Sequence, residues 1–257
     1  MHAAGQDRAW LYAHATDQLK EVWWIHYGRY LHQRTQGKPT QYITGHQEFY
    51  GREFRVTPDV LIPRPETEHL IDAALSKTKP GDRVLDVGTG SGILAVTLAL
   101  ELQARQQKTP ETKASKIVAC DISLPTLRIA QENASHLGAN VPFIECDLST
   151  AFASASFDVV VSNPPYVPLR DRTGLQKEVR GFEPAQALFA GEDGNDVYRR
   201  LIPEAARVLK PGGWLVMELG DAEAVRAMLT DWDRVEAVND LAGVPRVISA
   251  QKTSTIV

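Results

Sequence analysis

The run VLDVGTGSGI, residues 84–93, constrains this chain more than any other stretch. Its apolar first half reads as a buried strand, and Ile93 opens an apolar helical pattern, so the glycines occupy a strand-to-helix turn. The same alternation continues downstream. Strands are expected at 83–87, 117–121, 141–146, 157–162, 214–219, 235–238 and 246–250. Helices are expected at 93–102, 124–135 with Ser123 as cap, 197–209 and near 223–229. Lys210-Pro211-Gly212-Gly213 turns the third of these helices into the next strand. Such an order requires an α/β fold, doubly wound around a mostly parallel seven-stranded sheet, with helices on both faces and right-handed crossovers. The polar stretch 103–115 is a solvated loop or a helix extension, and no internal repeat is visible.

Upstream, residues 6–36 have helical spacing, carried by Trp10, Leu11, His14 and Leu19 and then by Val22, Trp23, Ile25, Tyr27, Tyr30 and Leu31. Gly37-Lys38-Pro39 ends that segment. EFYGREFRV, 48–56, has aromatics on either side of Gly51 and reads as a β-hairpin. LIPRPETE, 61–68, is a stiff extended lead into a helix whose first turn suits Glu66 and Glu68. Leu70, Ile71, Ala74 and Leu75 then line one face of that helix.

The glycines have a chemical use. Without Cβ atoms the backbone can approach a ligand, and the amides at a helix N-terminus favour negative groups. A dinucleotide fold wants G-x-G-x-x-G, which here needs glycine at 93, and that residue is Ile93. The spacing Gly88, Gly90, Gly92 after Asp86 instead resembles motif I of class I S-adenosylmethionine-dependent methyltransferases, a Rossmann-like fold. Asp121 ends the second strand, where a carboxylate can accept from two ribose hydroxyls. A plain tight turn is the alternative use of three glycines.

VVVSNPPYVP, 159–168, ends a buried strand in a rigid polar corner. In the architecture just described this strand lies beside the first, so Asn163-Pro164-Pro165-Tyr166 faces the cofactor's reactive end. An amide or aniline-type NH2 is a weak nucleophile because its lone pair is delocalised. The Asn163 side-chain carbonyl and the Pro164 backbone carbonyl can accept both N–H bonds in one plane and turn that lone pair toward an incoming methyl. Tyr166 offers a flat face that tolerates developing positive charge. No strong base is needed, and histidine is absent from 137–257.

The tetrad alone fits planar nitrogens generally: adenine in nucleic acid or glutamine in protein. Longer segments narrow the choice. PTQYITGHQEFYGREFRVTPDVLIPRPETEHLI (39–71), EVRGFEPAQALFAGEDGNDVYRRLI (178–202), LKPGGWLVMELG (209–220) and DLAGVPRVI (240–248) closely resemble the bacterial release factor glutamine methyltransferases, the HemK/PrmC family. The resemblance implies methyl transfer from S-adenosyl-L-methionine to the glutamine side chain in the GGQ motif of class I peptide chain release factors, modulating translation termination. It implies cofactor contacts at Gly88, Thr89, Gly90, Ser91, Gly92 and Asp121, with Leu148 beside the adenine, where some relatives carry an aromatic. It also implies that Asn163 touches both cofactor and substrate, and that Asn163, Pro164, Pro165 and Tyr166 hold the glutamine amide. Asn163, Pro164 and Tyr166 are the expected catalytic residues.

Three segments are expected: an N-terminal helical substrate-docking segment at 1–38, a hairpin linker at 39–65, and the methyltransferase domain at 66–257. The family's helical domain is usually longer than 38 residues, so the chain looks shortened by about two helices or its start is assigned late. The Trp10, Trp23 and Trp24 face is a docking surface or packing left half covered.

Residues 1–64 hold eight Lys/Arg against six Asp/Glu and the remainder twenty against twenty-six. A net charge of −4 lacks the basic stripe that an N6-adenine methyltransferase on nucleic acid would want, and no target-recognition domain fits. The alternatives are methylation of glutamine in another protein, the weaker N6-adenine methylation of nucleic acid, and a catalytically silent binding protein, against which the intact glycine turn, Asp121 and tetrad argue. Cys120 and Cys146 lack CxxC spacing, fit a reducing cytosol as small core residues, and imply no metal site. No signal peptide or membrane span is visible, so the expectation is a cytoplasmic monomer without membrane contact or direct nucleic-acid contact.

Overall fold

The computed structural model describes residues 21–240 and 242–254. Helix α1 (Glu21–Thr35) precedes the short α2 (Thr40–Thr44), the hairpin β1 (His46–Phe49) and β2 (Arg52–Arg55), a 3₁₀ turn at Pro65–Thr67, and α3 (Glu68–Lys77). Phe49 and Phe54 meet edge to face across the hairpin, 6.2 Å between ring centres, and both are buried. The expected helical residues Trp10, Leu11, His14 and Leu19 lie outside the described residues.

The central sheet is built from β3 (Arg83–Val87), β4 (Lys116–Asp121), β5 (Phe143–Glu145), β6 (Phe157–Ser162), β7 (Leu209–Glu218), β8 (Trp232–Asn239) and β9 (Pro245–Lys252). Its order is β5-β4-β3-β6-β7-β9-β8. The first five strands are parallel, and β9 and β8 add antiparallel pairs at one edge. Chain order reverses between β3 and β6, which are parallel neighbours: the switch point of a doubly wound sheet.

The valines of β6 show why this strand is central. Val159 and Val161 pack into the cluster under α3 and α4 (Ile93–Lys108), with Leu70, Ile71 and Leu94. Val160 points the other way, into the cluster formed with α8 (Asp196–Val208), including Tyr198 and Leu201. All three valines are fully buried, as a parallel strand covered on both faces requires. Between them, α5 (Leu124–Leu137) crosses from β4 to β5, capped by Ser123, whose hydroxyl accepts from the Thr126 N–H. A 3₁₀ segment at Leu169–Gly174 and the short helices α6 (Lys177–Phe182), α7 (Ala185–Leu188) and α9 (Ala222–Ala227) complete the described elements.

Several boundaries differ from expectation: β5 is shorter than 141–146, β8 and β9 are longer than 235–238 and 246–250, and two larger shifts have physical reasons. Helix α4 runs on to Lys108, so half of the polar stretch is helix extension, its charged residues solvated. Strand β7 begins at Leu209 rather than at Trp214: Phe157 pairs with Leu209 and Val159 with Trp214, so the Lys-Pro-Gly-Gly run forms a bulge inside the strand. No described helix is long and apolar enough to cross a membrane.

Candidate active site

The glycine turn is held by its neighbour strand. The Gly88 and Thr89 N–H groups both donate to the Cys120 carbonyl at the end of β4, at 2.9 and 3.0 Å. Gly88 and Gly90 have positive φ, and a Cβ on either would project into open space. Gly92 differs. It begins α4 at φ +85°, and a Cβ there would lie 3.2 Å from the Ala130 Cβ and 3.3 Å from its Cα on α5. The third glycine therefore serves helix packing and stands outside the cavity lining. We expect Gly92→Ala to lower unfolding free energy by about 1–3 kcal/mol, read by urea titration; a midpoint equal to wild type would contradict this account.

Two carboxylates lie beneath the turn. Asp86 is fully buried; its Oδ2 accepts from the Thr89 hydroxyl at 2.6 Å and the Ala95 N–H at 3.1 Å, while Oδ1 has no partner. Burial pushes its pKa up to about 7, against those two donors. Asp121 accepts from the Gly90 N–H (3.1 Å) and the Ser123 N–H (3.0 Å), and burial raises its pKa as well. Of the two, Asp121 reaches the cavity with lone pairs left over for further donors, while Asp86 stays sealed beneath the turn.

Asp121 borders a cavity of about 340 Å³ at the carboxyl ends of β3 to β6, and Asp86 lies behind its wall. Gly88, Thr89, Gly90, Ser91, Asp121, Leu148, Asn163, Pro164 and Pro165 all line it. Leu148 sits in the left-handed region at φ 50°, uncommon for a bulky side chain. Its carbonyl accepts from the Cys120 thiol at 3.0 Å and the Cys146 thiol at 3.3 Å. The two cysteines thus hold a strained wall residue, a role that their spacing could not reveal. Cys146 also lines the cavity.

On the far side, Ser162 donates to the Val87 carbonyl at 2.7 Å and locks the end of β6 against β3. Asn163 Nδ2 donates to the Thr67 hydroxyl at 3.3 Å, and Thr67 donates to Glu218 Oε2 at 2.6 Å. Tyr166 stands beside the cavity lining, its hydroxyl donating to Glu218 Oε1 at 3.1 Å. The Tyr166 ring lies on bare Gly220, where a Cβ would come 2.8 Å from Cδ2. Arg64, in the cavity wall, pairs at 2.6 Å with Glu183, whose side chain is almost wholly buried, so the 61–64 and 182–184 segments are clamped together. Sequence reasoning missed Thr67, Glu218 and Glu183. Each lies inside a stretch that carried the family resemblance, which was the available signal.

A family model described as a methyltransferase domain matches residues 78–255, and one described as the PrmC N-terminal domain matches 1–45. The release factor glutamine methyltransferase of Koribacter versatilis is 45% identical over 260 residues, covering 99% of this chain and 89% of that protein. Those of Geobacter sulfurreducens and Bacillus subtilis are 39% and 38% identical, each over 97% of this chain and over 86% and 88% of their own length.

The chain belongs to the release factor glutamine methyltransferase family.

Solved structures support the fold. A methyltransferase from Pyrococcus furiosus superposes with a TM-score of 0.54 at 18% identity, covering 89% of this chain and 98% of that one. A T. thermophilus 16S rRNA methyltransferase in complex with AdoMet and guanosine gives 0.56 at 20% identity, covering 80% and 49%. Both likenesses are of fold alone. The cavity of this family member lies between the glycine turn and the Asn163–Pro165 corner.

Proposed function

We propose that this protein transfers a methyl group from S-adenosylmethionine to the side-chain amide nitrogen of the glutamine in the GGQ motif of class I release factors. One observation carries the reading: the glycine turn, Asp121 and the Asn163-Pro164 corner face a single cavity, in a chain of the family just described. The residues present fit the cofactor. Asp121 keeps lone pairs for a ribose diol beyond its two backbone donors, and Gly88 and Gly90 leave room for close approach. Leu148 gives the adenine an aliphatic face. When bound, the cofactor supplies an electrophilic methyl on a sulfonium.

The chain's own work is to present the acceptor. Asn163 Oδ1 and the Pro164 carbonyl take the two amide N–H bonds, and the prolines keep both acceptors fixed. The planar amide would lie against Tyr166 with its nitrogen lone pair turned toward the methyl that the cofactor would supply, the cofactor's sulfur being the leaving group. Positive charge moves to the nitrogen, and its proton leaves to water afterwards, so no side-chain base is required. Residues 1–38 are assigned to docking the protein substrate, 39–65 to the hairpin linker and 66–257 to the catalytic domain. On α1, Trp24, Ile25 and Leu31 are exposed; Trp10 and the Trp23 side chain lie outside the described residues.

Labelled methyl transfer to purified release factor tests the proposal. Incorporation into a GGQ factor and none into its GGA variant is expected. Equal incorporation into both would remove the glutamine assignment, and labelling of nucleic acid in place of the factor would redirect it to adenine.

A further inference from the structure

Asn163 can act as described only if its carbonyl, not its NH2, faces the cavity. The amide plane alone does not decide this, because the two ends are nearly isosteric. The decision is made behind it. Thr67 is fully buried and Glu218 is 2% exposed. Both Glu218 oxygens act as acceptors, Oε1 for the Tyr166 hydroxyl and Oε2 for the Thr67 hydroxyl at 2.6 Å, so Thr67 spends its single proton on Glu218. The remaining face of that hydroxyl is a lone pair. Whatever Asn163 turns toward it must therefore be a donor, and the 3.3 Å contact is to Nδ2. Oδ1 is left for the cavity.

We propose that Thr67 and Glu218 are positioning residues that set the hydrogen-bond polarity of Asn163, and with it the demand that the methyl acceptor bring N–H donors. The inference rests on the role given to Asn163 above.

Three further contacts hold Glu218 in this post. The Tyr166 hydroxyl occupies its other oxygen at 3.1 Å, tying the tetrad's last residue to the same carboxylate. Tyr198, fully buried, donates to the Glu218 backbone carbonyl at 2.8 Å and accepts from the Gly220 N–H at 3.1 Å, pinning the end of β7. Gly220 leaves the gap into which the Tyr166 ring fits. One acid thus aligns both ends of the tetrad. Thr67 arrives from the Pro65–Thr67 turn and Glu218 from the end of β7, 151 residues away.

Thr67→Val keeps the shape but removes the acceptor for Nδ2, freeing the Asn163 amide to rotate. We expect kcat to fall by about tenfold to a hundredfold, with cofactor Kd close to wild type and the thermal midpoint lowered by the orphaned Glu218 oxygen, and Thr67→Ser to restore most of the loss in both. Glu218→Gln can donate toward Thr67 and reverse the chain, so it should lower kcat similarly. The double variant Thr67→Val/Glu218→Gln should be no slower than the slower single, because both act through one amide. A Thr67→Val enzyme with wild-type kcat, or a Thr67→Ser enzyme as slow as Thr67→Val, overturns the proposal. A second readout stands apart from the choice of substrate and from Thr67→Val folding. The Asn163 side-chain NH2, identified in ¹⁵N spectra by its loss in Asn163→Ala, should exchange with water more slowly in wild type and Thr67→Ser than in Thr67→Val and Glu218→Gln. Equal exchange in wild type and Glu218→Gln also overturns it, even if wild type methylates no release factor and the functional reading fails separately.

Discussion

Asn163→Ala is expected to lower kcat for release factor methylation by about a hundredfold or more, while cofactor affinity stays within about threefold of wild type. The asymmetry follows from where this side chain is anchored. Its described hydrogen bond to the fold is the single donation to Thr67. Losing that bond leaves a hydroxyl lone pair without its donor, which costs about 1 kcal/mol. The consequence for the acceptor is larger. With Oδ1 gone, the Pro164 carbonyl alone holds the substrate amide, and one hydrogen bond does not fix a plane. The lone pair then samples directions away from the methyl, and the weak nucleophile loses the alignment that compensates for its weakness. Binding of the cofactor draws mainly on Asp121, the glycine turn and Leu148 at the other end of the cavity. Single-turnover methylation beside calorimetric titration of S-adenosylmethionine separates the two effects. Unchanged turnover, or a loss confined to cofactor binding, would sink the assigned role.

The parts of this molecule that were legible in its sequence share a physical cause. Strands β3 and β6 run where expected because each is an apolar run buried on both faces and ended by its next residues, Gly88 by turning left-handed and Pro164 by lacking an N–H. The joining of Asp121, the glycine turn and Asn163 at one cavity follows from topology, since the carboxyl ends of adjacent parallel strands must converge. What pattern could not show is contact between side chains far apart in the chain. Thr67 stands between Glu66 and Glu68, and those acids suggested only the first turn of a helix. Its partner Glu218 ends a strand whose neighbours are apolar. Nothing local distinguishes a buried carboxylate with two hydroxyl donors from a solvated one. Gly92 teaches the converse lesson. Its place in the G-x-G-x-G frame suggested a ligand contact, but the backbone of α5 passes so close that the same glycine answers a packing demand. Leu148 adds a third case, since a left-handed leucine held by two thiols has no signature in spacing.

The cavity should also make itself felt in how stability depends on pH, through Asp86. Burial raises its folded-state pKa from 3.8 to about 7, so the folded protein holds this proton more tightly than the unfolded chain does. Stability from this source is fully present below the unfolded value and is lost as pH rises through the folded one. Between about pH 5 and pH 8 the loss is roughly 2–3 kcal/mol at 1.36 kcal/mol per pKa unit. Asp121 and Glu218, whose pKa values burial also raises, act in the same direction, so wild-type data alone cannot isolate Asp86. Asp86→Asn can. The asparagine carbonyl can accept from Thr89 and Ala95 as Oδ2 does, and its NH2 takes the place of the unpartnered Oδ1. An orphaned NH2 costs about 1–3 kcal/mol at every pH, so absolute stability is the wrong comparison and the slope is the right one. Without cofactor, wild type should lose roughly 2–3 kcal/mol more than Asp86→Asn over that interval, measured by urea unfolding at both ends. Parallel losses in the two proteins would mean that Asp86 stays ionised in the fold. The orphaned oxygen would then already be compensated within the protein.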